Sequence, residues 1–182
     1  MKIKHANSTL EEEVVFELFE DQCPNTCANF KKLCEGFKRK DGKTITYTGS
    51  EISRVVKGMF VSGGNVREKD GKYIFIISDF ILIDTKSCSI FDEGKFADES
   101  FAQKHDQAGL LGMCRNGDNA NSNECMFYVT TGSPLHFLDN KNVVFGRVIS
   151  GLRTFKIIDK VETVNQKPST AITITGCGVY KK

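Results

Sequence analysis

Three histidines, seven cysteines and a few glycine pairs are the residues of this 182-residue chain that could do familiar chemistry. Their spacing removes most of it. A Ser/His/Asp or Cys/His hydrolase needs a nucleophile beside a base, and none of His5, His105 and His136 accompanies a nucleophile-elbow pattern. Cys23 and Cys27, four apart on a predicted helix, could turn both thiols one way, but no second Cys or His pair completes a zinc site. Gly63-Gly64 and the stretch from Gly109 to Gly112 lack the lysine and the strand-to-helix context of a phosphate loop. No metal, nucleotide or other cofactor is expected. The cysteines, odd in number and with no export signal visible, read as reduced thiols that serve as small core residues. A thiol-based redox or chaperone reading through Cys23, Cys27 or Cys114 rests on cysteine count alone.

Composition narrows the class further. The chain is 40% hydrophobic and 26% charged, with 16 Gly and 3 Pro, which fits one globular domain and excludes a disordered or collagen-like chain. Lys and Arg at 25 against Asp and Glu at 23 leave a formal charge of +2, too balanced to mark a nucleic-acid or acidic-membrane partner. The first residues, MKIKHANSTLEEE, carry glutamates where an export signal needs its apolar run. The most apolar stretch, Tyr73 to Ile83, contains Ser78 and Asp79 and is far short of the roughly 20 apolar residues of a bilayer span. A cytoplasmic or nuclear monomer is expected.

The elements that must hold any site are mostly strands. Val14 to Phe19 alternates with a period of two. Pro24 then opens a helix over 24–35, with Cys27, Phe30 and Cys34 at spacings of three and four and Gly36 closing it. Thr44 to Thr48, Ile52 to Val56, Met59 to Ser62, Leu110 to Cys114, Phe127 to Thr131 and Val143 to Ile149 read as strands between turn residues. Leu152, Phe155 and Ile158 predict a second helix over 151–160, and Ala171 to Thr175 a last strand. The pattern is mainly β, a closed eight-stranded antiparallel barrel capped by two α-helices.

The motifs then arrive in the order of a known family. Phe16-Glu17-Leu18-Phe19 is followed by Pro24, Thr26, Asn29 and Phe30, and Arg54-Val55-Val56-Lys57-Gly58-Met59-Phe60 precedes Ser62-Gly63-Gly64. Phe96-Ala97-Asp98-Glu99, Phe101, His105, Gly109-Leu110-Leu111-Gly112-Met113 and Val143-Val144-Phe145-Gly146 come later. The chain resembles a divergent cyclophilin, a peptidyl-prolyl cis-trans isomerase. The resemblance implies the same barrel and an activity that assists protein folding on proline-containing peptides.

That activity suits a site without nucleophile or base. Amide rotation costs about 18 to 20 kcal/mol because the nitrogen lone pair is delocalised, so X-Pro bonds isomerise slowly. A catalyst needs an apolar pocket for the ring and a donor that favours the twisted state. The resemblance places Arg54 as that donor, a planar and permanently charged fork. It places the ring pocket at Met59, Phe60, Tyr128 and Leu138, with Tyr128 where the family has a phenylalanine floor, and Phe137 among the substrate-binding residues. Met59-Phe60 reverses the family's Phe-Met.

Other positions depart from the family. Ser62 and Met126 stand in place of two glutamines, Cys114-Arg115 in place of Ala-Asn, and Asn142 in place of a wall histidine. Each lost polar contact would cost about 0.5 to 1.5 kcal/mol where solvent replaces it, a drop of roughly tenfold to a few hundredfold in total. Arg115 is open to two readings, a second charge in the groove or a solvated surface residue. The alternative function is a cyclophilin-fold module that binds a partner's proline-containing peptide with little turnover. Binding of cyclosporin, a cyclic peptide bound in the family's groove, is expected to be weakened, because the family's indole N–H position falls on Phe137 or His136 and the chain has no tryptophan. The segment at about 66–88 is longer than the family's connection. It predicts an extra hairpin packed beside the groove, or a patch that buries only its own apolar face.

Overall fold

Short runs of β-branched and aromatic residues, separated by too few residues for a crossover helix, can pair only with antiparallel neighbours. The computed structural model describes residues 1–6, 11–66, 88–132 and 134–180, so the segment expected to form an extra hairpin lies almost wholly outside the described residues. In chain order the elements are β1 (Lys2–His5), β2 (Glu12–Glu13), β3 (Val15–Leu18), α1 (Pro24–Glu35), β4 (Phe37–Lys38), β5 (Thr44–Ile45), β6 (Ile52–Val56) and β7 (Phe60–Gly63). They continue with β8 (Leu110–Arg115), β9 (Asn123–Thr130), a 3-10 turn (His136–Leu138), β10 (Val144–Ser150), α2 (Leu152–Ile158), β11 (Thr163–Val164), β12 (Lys167–Pro168) and β13 (Ile172–Gly176). The fold is mainly β with two α-helices.

Strands in the order β3-β10-β8-β9-β7-β6 form one six-stranded sheet, β13-β1-β2 a second, and β11-β12 and β4-β5 two hairpins. Among the described residues the strands are more numerous than the eight expected and are divided among four sheets. The run from Val14 to Phe19 is not one strand. Val14 leaves the six-stranded sheet to exchange two backbone hydrogen bonds of 2.8 Å with Met1, which separates β2 from β3. The amino-terminal strand β1 escapes a pattern reading because Ile3 is its one apolar residue. At the far edge, the Gly49 N–H donates to the Ile174 carbonyl at 2.7 Å and the Ile174 N–H to Ser50 at 2.9 Å, which brings β13 to the start of β6.

Other boundaries move for local reasons. The strand expected over Thr44 to Thr48 stops at Ile45, because Tyr47 turns inward and donates its hydroxyl to the Cys125 carbonyl at 2.6 Å. Met59 belongs to the turn before β7, where its N–H closes on the Val56 carbonyl at 2.9 Å. Helix α2 ends at Ile158, two residues before the predicted end. Helix α1 has the predicted ends, with Pro24 in its first turn and Cys27, Phe30, Leu33 and Cys34 on its buried side. Its free N-terminal amides are met from far along the chain. The Glu99 carboxylate accepts from the Asn25 N–H at 2.9 Å, the Thr26 N–H at 2.7 Å and the Thr26 hydroxyl at 2.6 Å. Phe30 then reaches the centre of the core, with ring centroids 5.2 Å from Tyr47, 5.4 Å from Phe127 and 5.4 Å from Phe145.

All seven cysteines are free thiols, five of them buried. Burial pushes Cys23 up to about 11 and Cys27 to about 12, as expected of inert core residues. Cys177 differs. The Cys34 thiol hydrogen-bonds it and outweighs the effect of burial, and Thr48 and Thr46 add to the pull, so it is held down at about 6. Thr48 Oγ1 lies 3.3 Å from its sulfur. Since the thiolate is the nucleophile, iodoacetamide at neutral pH should alkylate Cys177 before any other cysteine, read by peptide mass mapping; earlier labelling of Cys114 would contradict this account.

Candidate active site

The site grows from the register of four strands. Arg54 on β6 pairs with Ser62 on β7, Ser62 with Tyr128 on β9, and Tyr128 with Gly112 on β8. Side chains alternate across a sheet, so this row lies on one face. The intervening row, Val55, Val61, Val129 and Leu111, is fully buried on the other face with Phe127 and Met113. Phe60, Met126 and Cys114, each two residues from a member of the first row, share its face.

Within this row the rings and the charge converge. The Arg54 guanidinium carbon lies 5.6 Å from the centroid of Phe60, and Phe60 lies 5.5 Å from Tyr128. A cation over an aromatic face is attracted by the ring quadrupole. Arg54 Nε donates to Gln166 Oε1 at 2.7 Å, so the donors left for a ligand are on its two terminal nitrogens. Gln166 is held in turn, since its carbonyl accepts the Val55 N–H at 2.7 Å. Asn165 and Gln166 have φ of 49° and 65° and form the two-residue turn between β11 and β12. Ser62 is 3% exposed and Met126 half-buried. Cys114 is pushed up to about 12 by burial, against an opposing pull from Arg54.

The remaining candidates divide. Met59 lies in the 57–59 turn, one residue out of phase with Phe60. That turn is fixed by Asp159, whose two carboxylate oxygens accept the Gly58 N–H at 3.0 Å while one accepts the Thr131 hydroxyl at 2.6 Å. Phe137 and Leu138 come from the 3-10 turn, where Phe137 is 50% exposed. Asn142 donates its amide to the Met113 carbonyl at 3.0 Å, so that group serves the backbone. Arg115 fits neither of its two sequence readings. It pairs with Asn123, out of phase with the row, and its nearly buried guanidinium grips Asp98, with Nε 3.3 Å from Oδ1. Burial pushes the Asp98 carboxyl up, but hydrogen bonds from Asn121, Asn123 and Arg115 more than offset this and hold it below its ordinary value. Arg115 also lies 5.9 Å from the Phe101 ring.

A network the sequence did not reveal lies behind Tyr128. Its hydroxyl meets His105 Nε2 at 2.6 Å, and His105 Nδ1 meets Asp139 Oδ1 at 2.8 Å. The His105 N–H donates to the same oxygen at 2.9 Å, and His136 Nδ1 lies 3.1 Å from Oδ2. Burial raises the Asp139 carboxyl, but donors from His105 and His136 outweigh it and bring it down to about 2. Burial pushes the Tyr128 hydroxyl well above its ordinary value and His105 below its own, against the pull of Asp139. The imidazole is therefore neutral, with Nδ1–H donating to Asp139 and Nε2 accepting from Tyr128. His105 stood inside a motif block, but its meeting with Asp139 and Tyr128 had no signal in the sequence beyond the added hydroxyl. A cavity of about 640 Å³, lined by Phe16, Phe30, Cys34, Cys177 and Tyr180 among others, shares no residue with this row. No group of three or more His, Cys, Asp or Glu among the described residues is arranged to hold a metal, and none of their helices is long and apolar enough to cross a membrane.

An antiparallel fold that sets an arginine over an aromatic row suits an isomerase or a peptide-binding site. Residues 1–179 match the family described as "Cyclophilin type peptidyl-prolyl cis-trans isomerase/CLD". The chain is 39% identical over 163 residues to "Peptidyl-prolyl cis-trans isomerase H" of Rhizopus delemar, covering 89% of this chain and 83% of that protein. It is also 39% identical over 163 residues to the protein of the same name from Mycosarcoma maydis, covering 89% of this chain and 94% of that one. "Peptidyl-prolyl cis-trans isomerase D" of Eremothecium gossypii is 38% identical over 170 residues, 91% of this chain and 42% of its own length. The chain belongs to the cyclophilin-type peptidyl-prolyl cis-trans isomerase family. Its reaction is the cis-trans isomerisation of X-Pro bonds, and its substrates are proline-containing peptides.

The buried neutral His105 makes stability depend on pH with a definite sign. A histidine held below its unfolded value of about 6.5 binds fewer protons folded than unfolded, so its contribution is full above that value and is lost as pH falls. The thermal midpoint should decline from about pH 6.5 toward 5, and more gently in His105→Gln, followed by circular dichroism across that range. An unchanged slope in the variant would assign the acid sensitivity elsewhere.

Proposed function

We propose that Arg54 is the electrostatic element of the isomerisation and that Phe60 and Tyr128, with Met59, Phe137 and Leu138 around them, receive the proline ring. The observation that carries this reading is the cross-strand row in which Arg54 lies 5.6 Å over Phe60 while Gln166 holds its Nε. In the planar amide the nitrogen lone pair is shared with the carbonyl; in the twisted state it is localised on nitrogen. A fixed positive charge with donors on its terminal nitrogens favours that state more than the planar one, which lowers the barrier. Ser62, Cys114, Met126 and Asn142 complete the substrate face, and Arg115 acts by holding Asp98 and the 96–101 segment in place.

The alternative, a module that binds proline-containing peptides with little turnover, is favoured by one feature. Ser62 and Met126 give the row few side-chain donors besides Arg54, so the substrate backbone is held with fewer hydrogen bonds than in the family, and turnover is reduced. The barrel reading is kept as a proposal: an eight-stranded antiparallel barrel capped by two helices, supported by the backbone contacts at Val14–Met1 and at Ile174–Ser50 that bring the two larger sheets together. The chain is one domain and a monomer, with an inserted segment at about 66–88 that is longer than the family's connection. Its free thiols and balanced charge support a cytoplasmic or nuclear setting and no nucleic-acid or membrane partner.

Arg54→Ala should reduce kcat/KM on a proline tetrapeptide by at least about tenfold while leaving the thermal midpoint nearly unchanged, and lysine should not rescue it because it lacks the planar fork. Full activity of the alanine variant in a protease-coupled assay would remove Arg54 from the mechanism. Cyclosporin binding should be weaker by about 1 to 3 kcal/mol than in family members that offer an indole N–H. Calorimetry showing nanomolar affinity would mean that Phe137 and its neighbours compensate.

A further inference from the structure

Tyr128 is held from three sides, and the pattern is specific to this chain's tyrosine. Gly112 lies opposite it on β8, and a Cβ added there would overlap the Tyr128 ring carbon Cζ and its hydroxyl. The ring thus rests directly on the Gly112 backbone. Phe60 flanks it at 5.5 Å, and the His105 ring continues it end to end, with centroids 6.0 Å apart, planes 19° apart and Nε2 2.6 Å from the hydroxyl. His105 is 1% exposed, so its Nε2 has no access to water and depends on the Tyr128 hydroxyl for a partner. Asp139, the next member of the chain of hydrogen bonds, directly follows the 3-10 turn that carries Phe137 and Leu138.

We propose that the Tyr128–His105–Asp139 chain is a positioning device that fixes the floor of the proline pocket to the turn forming its wall, with His105 as the positioning residue and Gly112 making room for the ring. This rests on the pocket reading above and deepens it by adding residues that act through Tyr128. A phenylalanine at 128 would fill the same site but leave the buried His105 Nε2 without its donor and let floor and wall move independently. Such a change acts on the binding of the proline ring in both the planar and twisted states. Its effect therefore falls on KM, whereas loss of the charge at Arg54 falls on kcat.

The test is a double-mutant cycle on the full chain with a proline tetrapeptide, using Tyr128→Phe, His105→Gln and both together, beside Arg54→Ala as a control. Tyr128→Phe should raise KM about threefold to tenfold with kcat within about twofold, and the double variant should be no worse than the more affected single one. Tyr128→Phe keeps the ring volume, so it carries the result even where His105→Gln folds poorly. Peptide titration followed by the NMR shifts of the Tyr128 and Ser62 amides should show the same loss of affinity without turnover. An unchanged KM and affinity in Tyr128→Phe, or strictly additive effects in the cycle, would overturn the positioning role. If Arg54→Ala lost turnover in that case, the pocket reading would stand without it; if Arg54→Ala were fully active while the cycle showed coupling, the pocket would stand and Arg54's role would fall.

Discussion

Two-residue alternation across β6, β7, β9 and β8 is the constraint on which the molecule depends. It sends Val55, Val61, Leu111, Met113, Phe127 and Val129 into a water-free core and leaves Arg54, Ser62, Phe60 and Tyr128 on the opposite face. A slip of one residue in any ladder would exchange the two sets, placing a guanidinium in the core and several aliphatic groups in water. Site and core are therefore specified together. The cost of unburying the core row protects the geometry of the opposite face, on which Ser62 and Tyr128 are themselves only 3% exposed.

Among the described residues the ionic groups around that face are matched differently. Arg115 is matched to Asp98 and nearly buried with it, an arrangement that is costly to break from one side. Asp139 is surrounded by donors from His105 and His136, and Glu99 is spent on the amino-terminal turn of α1. Arg54 by contrast is held at Nε by an uncharged amide, which orients the fork without neutralising it. The same carboxylate that closes α1 ties the 96–99 segment to the helix. The fold thus uses its motif residues mainly to secure one another.

The departures from the family pattern become coherent in this setting. Tyr128 brings a hydroxyl where the family pattern has none, and that hydroxyl is taken up by His105. Gly112 supplies the space for the ring. Asn142 lacks an imidazole but braces the strand that carries Cys114 through the Met113 carbonyl. Ser62 and Met126 have no such replacement, which is where the site differs chemically from one rich in backbone-binding amides.

Much of this was legible before any coordinates. The period of two in Ile52 to Val56, the Pro24 start and Gly36 stop of α1, and the spaced motif blocks depend on near neighbours in the chain, and local propensity settles them. The split at Val14, the short strand at Thr44-Ile45 and the strand β1 were not legible, since each is decided by a partner distant in sequence: Met1 for Val14, Cys125 for Tyr47, and Thr173 and Ile174 for β1. Among site residues, Arg54, Phe60 and Tyr128 could be named from their motifs, but not what holds them. Gln166 lies 112 residues from Arg54 and His105 lies 23 from Tyr128. By itself, the sequence determined which side chains could do the chemistry and on which face of a strand each would fall, because alternation is a local property of the backbone. Only the tertiary structure decided which polar groups would meet, because a hydrogen bond requires contact within about 3 Å and that distance is set by how remote segments pack.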